Sequence, residues 1–174
     1  VQYVGYTQAA ALSAGDVDAI IGYSKSDLVS IAATLGGDVT ADPTTWPVRS
    51  ISLVDGDLPL VAVGLGSLAD NLDANEDNYK KLLGAIDQGV AFSQENPEAA
   101  LDITATYVPD LAEPENREVA AAILTQTLAL YTGGSRFGEQ DTEGWNAMAD
   151  FMWENDLLEK RVPASEAFVD LSAD

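Results

Sequence analysis

The sequence contains no histidine and no cysteine among its 174 residues. Without these residues the chain cannot build a Ser-His-Asp or Cys-His nucleophile, an imidazole acid–base group, or a zinc or iron–sulfur site with Cys and His ligands. Carboxylates and lysines are the only groups left for strong acid–base chemistry, and we predict neither a resident metal nor a cofactor. The absence of cysteine excludes disulfides but leaves the cellular compartment open, since exported and cytosolic proteins can both lack them.

Basic residues are scarce as well: 8 Lys and Arg stand against 29 Asp and Glu, which gives a formal charge of −21. Nucleic acid is therefore an unsuitable partner, because binding a phosphate backbone needs clustered Lys and Arg. The same argument disfavours an anionic membrane surface. No apolar run approaches the roughly 20 residues of a membrane span. Hydrophobic residues make up 47% of the chain, which is enough for a globular core.

Apolar patterns divide the sequence into a first third with strand signals and a helical remainder. The predicted strands are residues 2–5, 17–22, 48–54 and 58–64. The predicted helices are residues 9–12 (ended by Gly15), 28–35, 75–94, 97–107, 114–131, 142–155 and 164–171. Segment 17–22 is apolar on both faces, as is typical of a parallel strand covered by helices.

This order of elements predicts an α/β fold whose sheet is short of strands. Four strands in the first third are too few for the helices that follow, because each helix must cover sheet or another helix. The sequence also begins at Val1 rather than at Met. We therefore expect a further N-terminal segment of the same protein to supply the rest of the sheet.

The loop after segment 17–22 is the candidate ligand site, because ligands of open α/β sheets bind beyond the carboxyl ends of the strands. Tyr23 offers an aromatic face, Ser24 and Ser26 offer hydroxyls, and Asp27 offers a carboxylate. Such a set can stack on and hydrogen-bond a small heterocycle. Thr7, at another strand-to-helix turn, adds a hydroxyl. Asp27 and Thr7 also have the simpler interpretation of helix caps.

Other acidic groups are weaker candidates. Asp55 and Asp57 flank Gly56 in a pattern that more often forms an ordinary turn than a carboxylate pair. Residues 70–77 resemble a calcium loop in composition only, since they lack the spacing, the central glycine and the closing glutamate of an EF-hand. The start of a helix is the better interpretation there.

Three motifs together resemble a known family, the solute-binding proteins of bacterial ABC transporters. Residues 11–27, ALSAGDVDAIIGYSKSD, are similar to the "AL-x-x-G-x-VDA" signature of the branch that binds thiamine pyrimidine precursors, riboflavin, sulfonates and nitrate. Residues 79–100 are similar to the family's helix ending in "nP-x-x-A". Residues 145–168 are similar to its closing "W-x-x-M-x-x-F" segment with a Val-Pro and a final Phe.

The resemblance implies a type II periplasmic-binding-protein fold, in which two α/β lobes hold a ligand in the cleft between them. Residues 1–56 would be the C-terminal half of the second lobe, and residues 57–174 would return to complete the first. Tyr23 and Asp27 would correspond to a "GY-x-x-x-E" segment that reaches a heterocycle in binders of thiamine precursors and riboflavin. The implied partners are a small organic ligand and the permease of the importer, and the implied location is extracytoplasmic, in the periplasm or as a cell-surface lipoprotein.

Two other classes of function stay open at the level of sequence. A metabolic enzyme on the same fold, similar to a thiamine-pyrimidine synthase, would use Asp27 or Asp55 as acid or base; the related fungal synthases rely on histidine, which is missing here. An isolated acidic interaction module is disfavoured by the shortage of strands. Among transport ligands, the charge of −21 favours neutral or cationic molecules over nitrate, taurine or other sulfonates.

Overall fold

The computed structural model describes residues 3, 7–53, 58–61, 64–132 and 136–172. Within these ranges the regular structure is helical. The α-helices are α1 (Gln8–Ala14), α2 (Asp27–Thr34), α3 (Ala69–Glu95), α4 (Pro97–Ala105), α5 (Pro114–Leu128), α6 (Thr142–Glu154) and α7 (Ala164–Ala167). Turns of 3₁₀ helix lie at Pro43–Thr45, Pro109–Ala112 and Ala129–Thr132. No helix in the described ranges has the length and apolar composition needed to cross a bilayer.

The helices begin and end where local chemistry requires. Gly15 ends α1 with a left-handed φ of 77°, a conformation that costs glycine little. Pro97 occupies the first turn of α4, where its missing N–H costs nothing. Asp141 caps α6, because its carboxylate accepts from the Glu143 amide at 3.0 Å. These features confirm the predicted helices at these positions.

Two helices differ from their predicted lengths. Helix α3 begins at Ala69, six residues before the predicted start, and Asn75 interrupts it with a φ of −134°. The Asn75 side-chain amide donates to the Asn71 carbonyl at 3.0 Å, which is the local competition that makes asparagine a poor helix former. Helix α7 is a single turn of four residues, shorter than the predicted 164–171.

The predicted strands do not form in the residues that the structure describes. Segments 17–22, 48–53 and 58–61 have no strand assignment, and most of 2–5 lies outside the described residues. A strand acquires its backbone hydrogen bonds only from a neighbouring strand, and none lies beside these segments within those ranges. Two of their large apolar side chains are open to solvent, since Ile21 is 85% exposed and Ile51 92%, whereas Val48 packs on the core cluster around Trp46. The α/β class is therefore not confirmed.

The chain divides into two compact units. The first comprises Val1–Ile51 and Val90–Gly133, and the second comprises Ser52–Gly89 and Gly134–Asp174. Helix α3 contributes residues to both. The predicted lobe boundary near residue 56 stays a prediction, because residues 54–57 lie outside the described ranges.

The first unit has its core between α2 and α5. Val29, Ala32, Val39 and Trp46 form a buried cluster, on which apolar side chains of α5 pack. Helix α1 packs against α2, and α4 against α5. The α4–α5 contact includes an ion pair in which Arg117 of α5 meets Glu98 at 2.9 Å and Asp102 at 2.8 Å.

Two Asx turns shape the loop that leads to Trp46. The Asp38 carboxylate accepts from the Thr40 amide at 2.9 Å and from its hydroxyl at 2.6 Å. Asp42 makes the same pair of contacts with Thr44, both at 2.8 Å. The Trp46 indole N–H then donates to the Asp38 carbonyl at 2.8 Å. Aspartate side chains that bond two residues onward are typical of such turns, and here they direct the indole into the core.

Acid is expected to weaken this loop. Hydrogen bonds from the hydroxyl and amide of Thr40 lower the pKa of Asp38, and those from the amide and hydroxyl of Thr44 lower the pKa of Asp42. Since both folded-state values lie below the ordinary 3.8, the carboxylates stabilise the fold above that pH and stop doing so as pH falls through the folded-state pKa. We expect the urea midpoint of the full-length protein to drop below about pH 4.

The control for this effect is the double variant Asp38→Asn/Asp42→Asn. Its side-chain oxygens still accept hydrogen bonds but do not titrate, so its urea midpoint should change less between pH 5 and pH 2 than that of the wild type. Identical pH profiles for the two proteins would show that these turns do not contribute.

The second unit is centred on α6 and α7. Ala149 of α6 and Ala164 of α7 are buried, and the Ala164 amide donates to the Asn146 side chain at 3.1 Å. Trp145 stacks at a tilt on Phe168, with ring centroids 5.5 Å apart. Arg161 forms an ion pair with Asp150. The two ends of the sequence motif at residues 145–168 are therefore in contact.

Candidate ligand-binding loop

Residues Tyr23–Asp27, here called the YSKSD loop, form a turn that is closed by a hydrogen bond between its first and last residues. The Asp27 carboxylate accepts from the Tyr23 amide at 2.9 Å. In return the Tyr23 carbonyl accepts from the amides of Asp27 at 3.0 Å and Leu28 at 3.3 Å. The loop therefore has two reciprocal attachments between its first and last residues, and Tyr23 and Asp27 are fixed relative to each other.

Gly22 makes this closure possible. A Cβ atom at position 22 would lie 2.6 Å from the carboxylate oxygen of Asp27 that accepts from Tyr23, which is closer than carbon and oxygen approach. Any larger residue would push the carboxylate away from the Tyr23 amide. The glycine is required by close approach, since its φ is not in the left-handed region.

The predicted binding side chains differ in exposure. Tyr23 is 69% exposed, and Ser24 is also open to solvent. Ser26 and Asp27 are half-buried at the start of α2, and the Ser26 side chain does not cap that helix. The phenol ring is thus presented to solvent by a loop whose two ends are held. This arrangement suits stacking on a flat ring.

Thr7 lies at the start of α1, which packs against α2. Its carbonyl accepts from the Ala11 amide at 2.9 Å, while its side chain does not cap the helix. The structure thus brings Tyr23, Ser24, Ser26 and Asp27 together in one turn and places Thr7 on the neighbouring helix. The role of all five in binding stays a prediction.

One contact of the YSKSD loop was missed by the sequence analysis. The Lys25 ammonium donates to the side-chain carbonyl of Gln126 on α5 at 3.4 Å, in a partly buried setting. The two residues are 101 positions apart, so no local pattern links them. The only signal in the sequence is a polar residue at helical spacing after an apolar stripe.

The remaining acidic candidates have separate outcomes. Asp55 and Asp57 lie outside the described residues. Segment 70–77 lies in α3, as expected for the start of a helix. In the part of the chain that is described, no three acidic side chains are grouped so that they could hold a metal ion.

Two surface concavities are lined by residues that do not belong to the YSKSD loop. One, of about 410 Å³, is lined by residues between Arg136 and Glu143 at the start of α6. The other, of about 380 Å³, is lined by Glu113–Asn116 at the start of α5. Both have carboxylates in their walls and lie at the start of a helix. Neither supplies the flat apolar surface that a heterocycle requires.

A match to a known protein family covers the part of the chain that contains this loop. Residues 1–100, which include the YSKSD loop and its supporting helices α1 and α2, match the family described as NMT1/THI5 like. The chain belongs to this family. Its membership confirms the resemblance to solute-binding proteins of the thiamine-precursor, sulfonate and nitrate branch. A periplasmic-binding-protein fold is implied by the same match.

Among curated proteins, the chain is similar to the riboflavin-binding protein RibY of Chloroflexus aurantiacus. It is 24% identical over 172 residues, which cover 97% of this chain and 46% of RibY. The chain thus spans a little under half the length of this relative. No solved structure matches the chain at a significant level.

Proposed function

We propose that this chain is part of an extracytoplasmic solute-binding protein that delivers a small heterocycle to an ABC importer. The favoured ligands are riboflavin-like molecules and thiamine pyrimidine precursors. The chain would bind without catalysis: Tyr23 stacks on the ring, Asp27, Ser24 and Ser26 form hydrogen bonds, and Thr7 assists from α1. Sulfonates, taurine and nitrate are less suited, because a chain of charge −21 repels small anions.

The observation that carries this proposal is the exposed Tyr23 ring beside a carboxylate, on a loop that hydrogen bonds hold in place. A stacking surface that is fixed before the ligand arrives loses less entropy on binding than a mobile one. A relative named as a riboflavin-binding protein supports the choice of a flat heterocycle. That relative is also named as a binding protein rather than as an enzyme.

The proposed mechanism is closure around the ligand. A ligand that binds the closed form more tightly than the open form shifts the equilibrium toward closure, and the permease would recognise the closed form.

The exposure of Ile21 and Ile51 supports the presence of further strands in the whole protein, because both are β-branched residues typical of sheets and both are open to solvent here. We propose that a further segment of the same protein pairs with these segments and contributes ligand contacts.

The test is riboflavin binding by the full-length protein, measured by thermal shift and by quenching of riboflavin fluorescence. A ligand that binds only the folded state raises the melting temperature. We expect Tyr23→Ala to weaken binding by about 1–3 kcal/mol, and Tyr23→Phe, which keeps the stacking face, to bind nearly as well as the wild type.

The same samples separate transport from catalysis. Riboflavin recovered unchanged after prolonged incubation supports a binding protein, whereas its conversion would indicate an enzyme. Aminopyrimidine precursors of thiamine, taurine and nitrate are screened alongside. Wild-type affinity in Tyr23→Ala would contradict the proposed site, and no thermal shift with any flavin or pyrimidine would contradict the proposed ligand class.

A further inference from the structure

Helix α5 carries an apolar stripe that ends in a polar residue. Val119, Ala122 and Ile123 pack against the core cluster around α2. Gln126 follows at the same spacing, because positions 119, 122, 123 and 126 share one face of a helix. Gln126 contacts the YSKSD loop instead of the core cluster: its side-chain carbonyl oxygen accepts a hydrogen bond from the Lys25 ammonium at 3.4 Å.

The acceptor is a neutral side-chain amide, whereas Arg49 and Arg136 donate to backbone carbonyls and other cations are held by carboxylates. Arg117 is held by two carboxylates and Arg161 by one. An amide oxygen orients the half-buried Lys25 side chain without neutralising its charge. Since Lys25 lies midway between Tyr23 and Asp27, the contact acts on a loop that is already closed by the Asp27 carboxylate.

We propose that Gln126 is a positioning residue, which attaches the YSKSD loop to α5 through Lys25 and thereby sets the orientation of the Tyr23 ring. Asp27 and Gly22 determine the conformation of the loop. Gln126 determines the position of the loop relative to the core of the first unit. The consequence for ligand affinity rests on the proposed function. The attachment itself does not, and it is measurable without any ligand.

The first experiment is trypsin cleavage of the full-length protein at the Lys25–Ser26 bond. Trypsin requires local opening, so the cleavage rate reports how firmly the loop is held. The rate after Lys25 is compared with the rate after Lys160, an exposed residue in the second unit. We expect Gln126→Leu, which keeps side-chain volume and extends the apolar stripe, to raise this ratio about threefold to tenfold.

Two variants distinguish attachment from packing. Gln126→Glu keeps an oxygen acceptor for Lys25, so the ratio should stay at or below the wild-type value. Thr125→Val changes a neighbouring exposed residue of α5 whose hydroxyl bonds within the helix, to the Ala121 carbonyl, and should leave the ratio unchanged. If Gln126→Leu unfolds, as judged by circular dichroism, Gln126→Met serves in its place. An unchanged ratio in a folded Leu or Met variant overturns the proposal.

The second experiment measures riboflavin affinity by fluorescence quenching in the same proteins. We expect Gln126→Leu to weaken binding about threefold to tenfold with little change in melting temperature, and Gln126→Glu to bind as the wild type does. If riboflavin binds none of these proteins, the ligand assignment fails, while the trypsin ratio still decides whether Gln126 holds the loop. Faster cleavage with unchanged riboflavin affinity would overturn the role of Gln126 in orienting Tyr23.

Discussion

Replacing Trp46 with alanine is expected to lower the free energy of unfolding of the first unit by about 3–5 kcal/mol, the usual loss for removing a large buried aromatic side chain. Trp46 is only 4% exposed and packs with Val29, Ala32 and Val39. The truncation opens a cavity in that cluster and leaves the Asp38 carbonyl without the indole N–H that now donates to it at 2.8 Å. Both effects destabilise the same loop.

Hydrogen exchange of peptides spanning α2, together with urea unfolding followed by circular dichroism, measures this loss in the full-length protein. Exchange is the more direct readout, because it reports the opening of one unit even when the whole protein does not unfold in a single step. The matched control is Trp46→Phe, which keeps an aromatic ring and loses the N–H, and should cost only about 1–2 kcal/mol. Equal losses in the two variants would mean that the hydrogen bond, rather than the packing of the indole, dominates.

The helices were predictable because their signals are local. Gly15, Pro97 and Asp141 act through their own backbone or side chain on residues within one turn, so sequence is sufficient to place the ends of α1, α4 and α6. Asn75 shows the limit of this approach. The predicted helix 75–94 begins at this residue, whereas α3 starts at Ala69 and is interrupted at Asn75 by a φ of −134°.

The strand predictions were not confirmed in the described residues, for a different physical reason. An apolar, β-branched segment such as 17–22 has the composition of a strand, but strand formation depends on a partner that the segment itself does not encode. In the described residues this segment has no strand assignment, and Ile21 remains open to solvent. The sequence pattern therefore predicted that the segment is able to form a strand. It could not predict whether another strand lies beside it.

The YSKSD loop has one contact that the sequence could predict and one that it could not. Tyr23 and Asp27 were predicted together from their position after segment 17–22, and the structure joins them by a hydrogen bond of 2.9 Å. That bond is local, between residues four apart. The attachment of Lys25 to Gln126 spans 101 residues and exists only because α5 packs on the core beneath α2. Such a contact follows from tertiary packing, which the sequence motif does not contain.

Replacing Asp27 with alanine is expected to weaken riboflavin binding by the full-length protein by about 1–3 kcal/mol, the usual loss for a hydrogen bond that involves a charged group. Alanine removes the acceptor of the Tyr23 amide, so the loop opens and the phenol ring is no longer fixed, and it also removes the carboxylate that we propose contacts the ligand. Asp27→Asn separates these effects, because its side-chain oxygen can still accept from Tyr23 while its charge is lost. Recovery of most of the affinity in Asp27→Asn would assign the main role of Asp27 to loop closure, and wild-type affinity in Asp27→Ala would contradict both roles.

Gly22 provides an independent check on the closure role of Asp27. Alone, Gly22→Ala is expected to weaken riboflavin binding, because the new Cβ would lie 2.6 Å from the Asp27 carboxylate oxygen and displace it. In the Asp27→Ala background that oxygen is absent and only the Cβ of residue 27 remains close, at 3.1 Å, so the added methyl group should cost much less. The losses in the double variant should therefore be smaller than the sum of the two single losses, as a double-mutant cycle in fluorescence quenching will measure. Additive losses would show that Gly22 and Asp27 affect binding separately, and that the close approach of the carboxylate to Gly22 is not what holds Tyr23 in place.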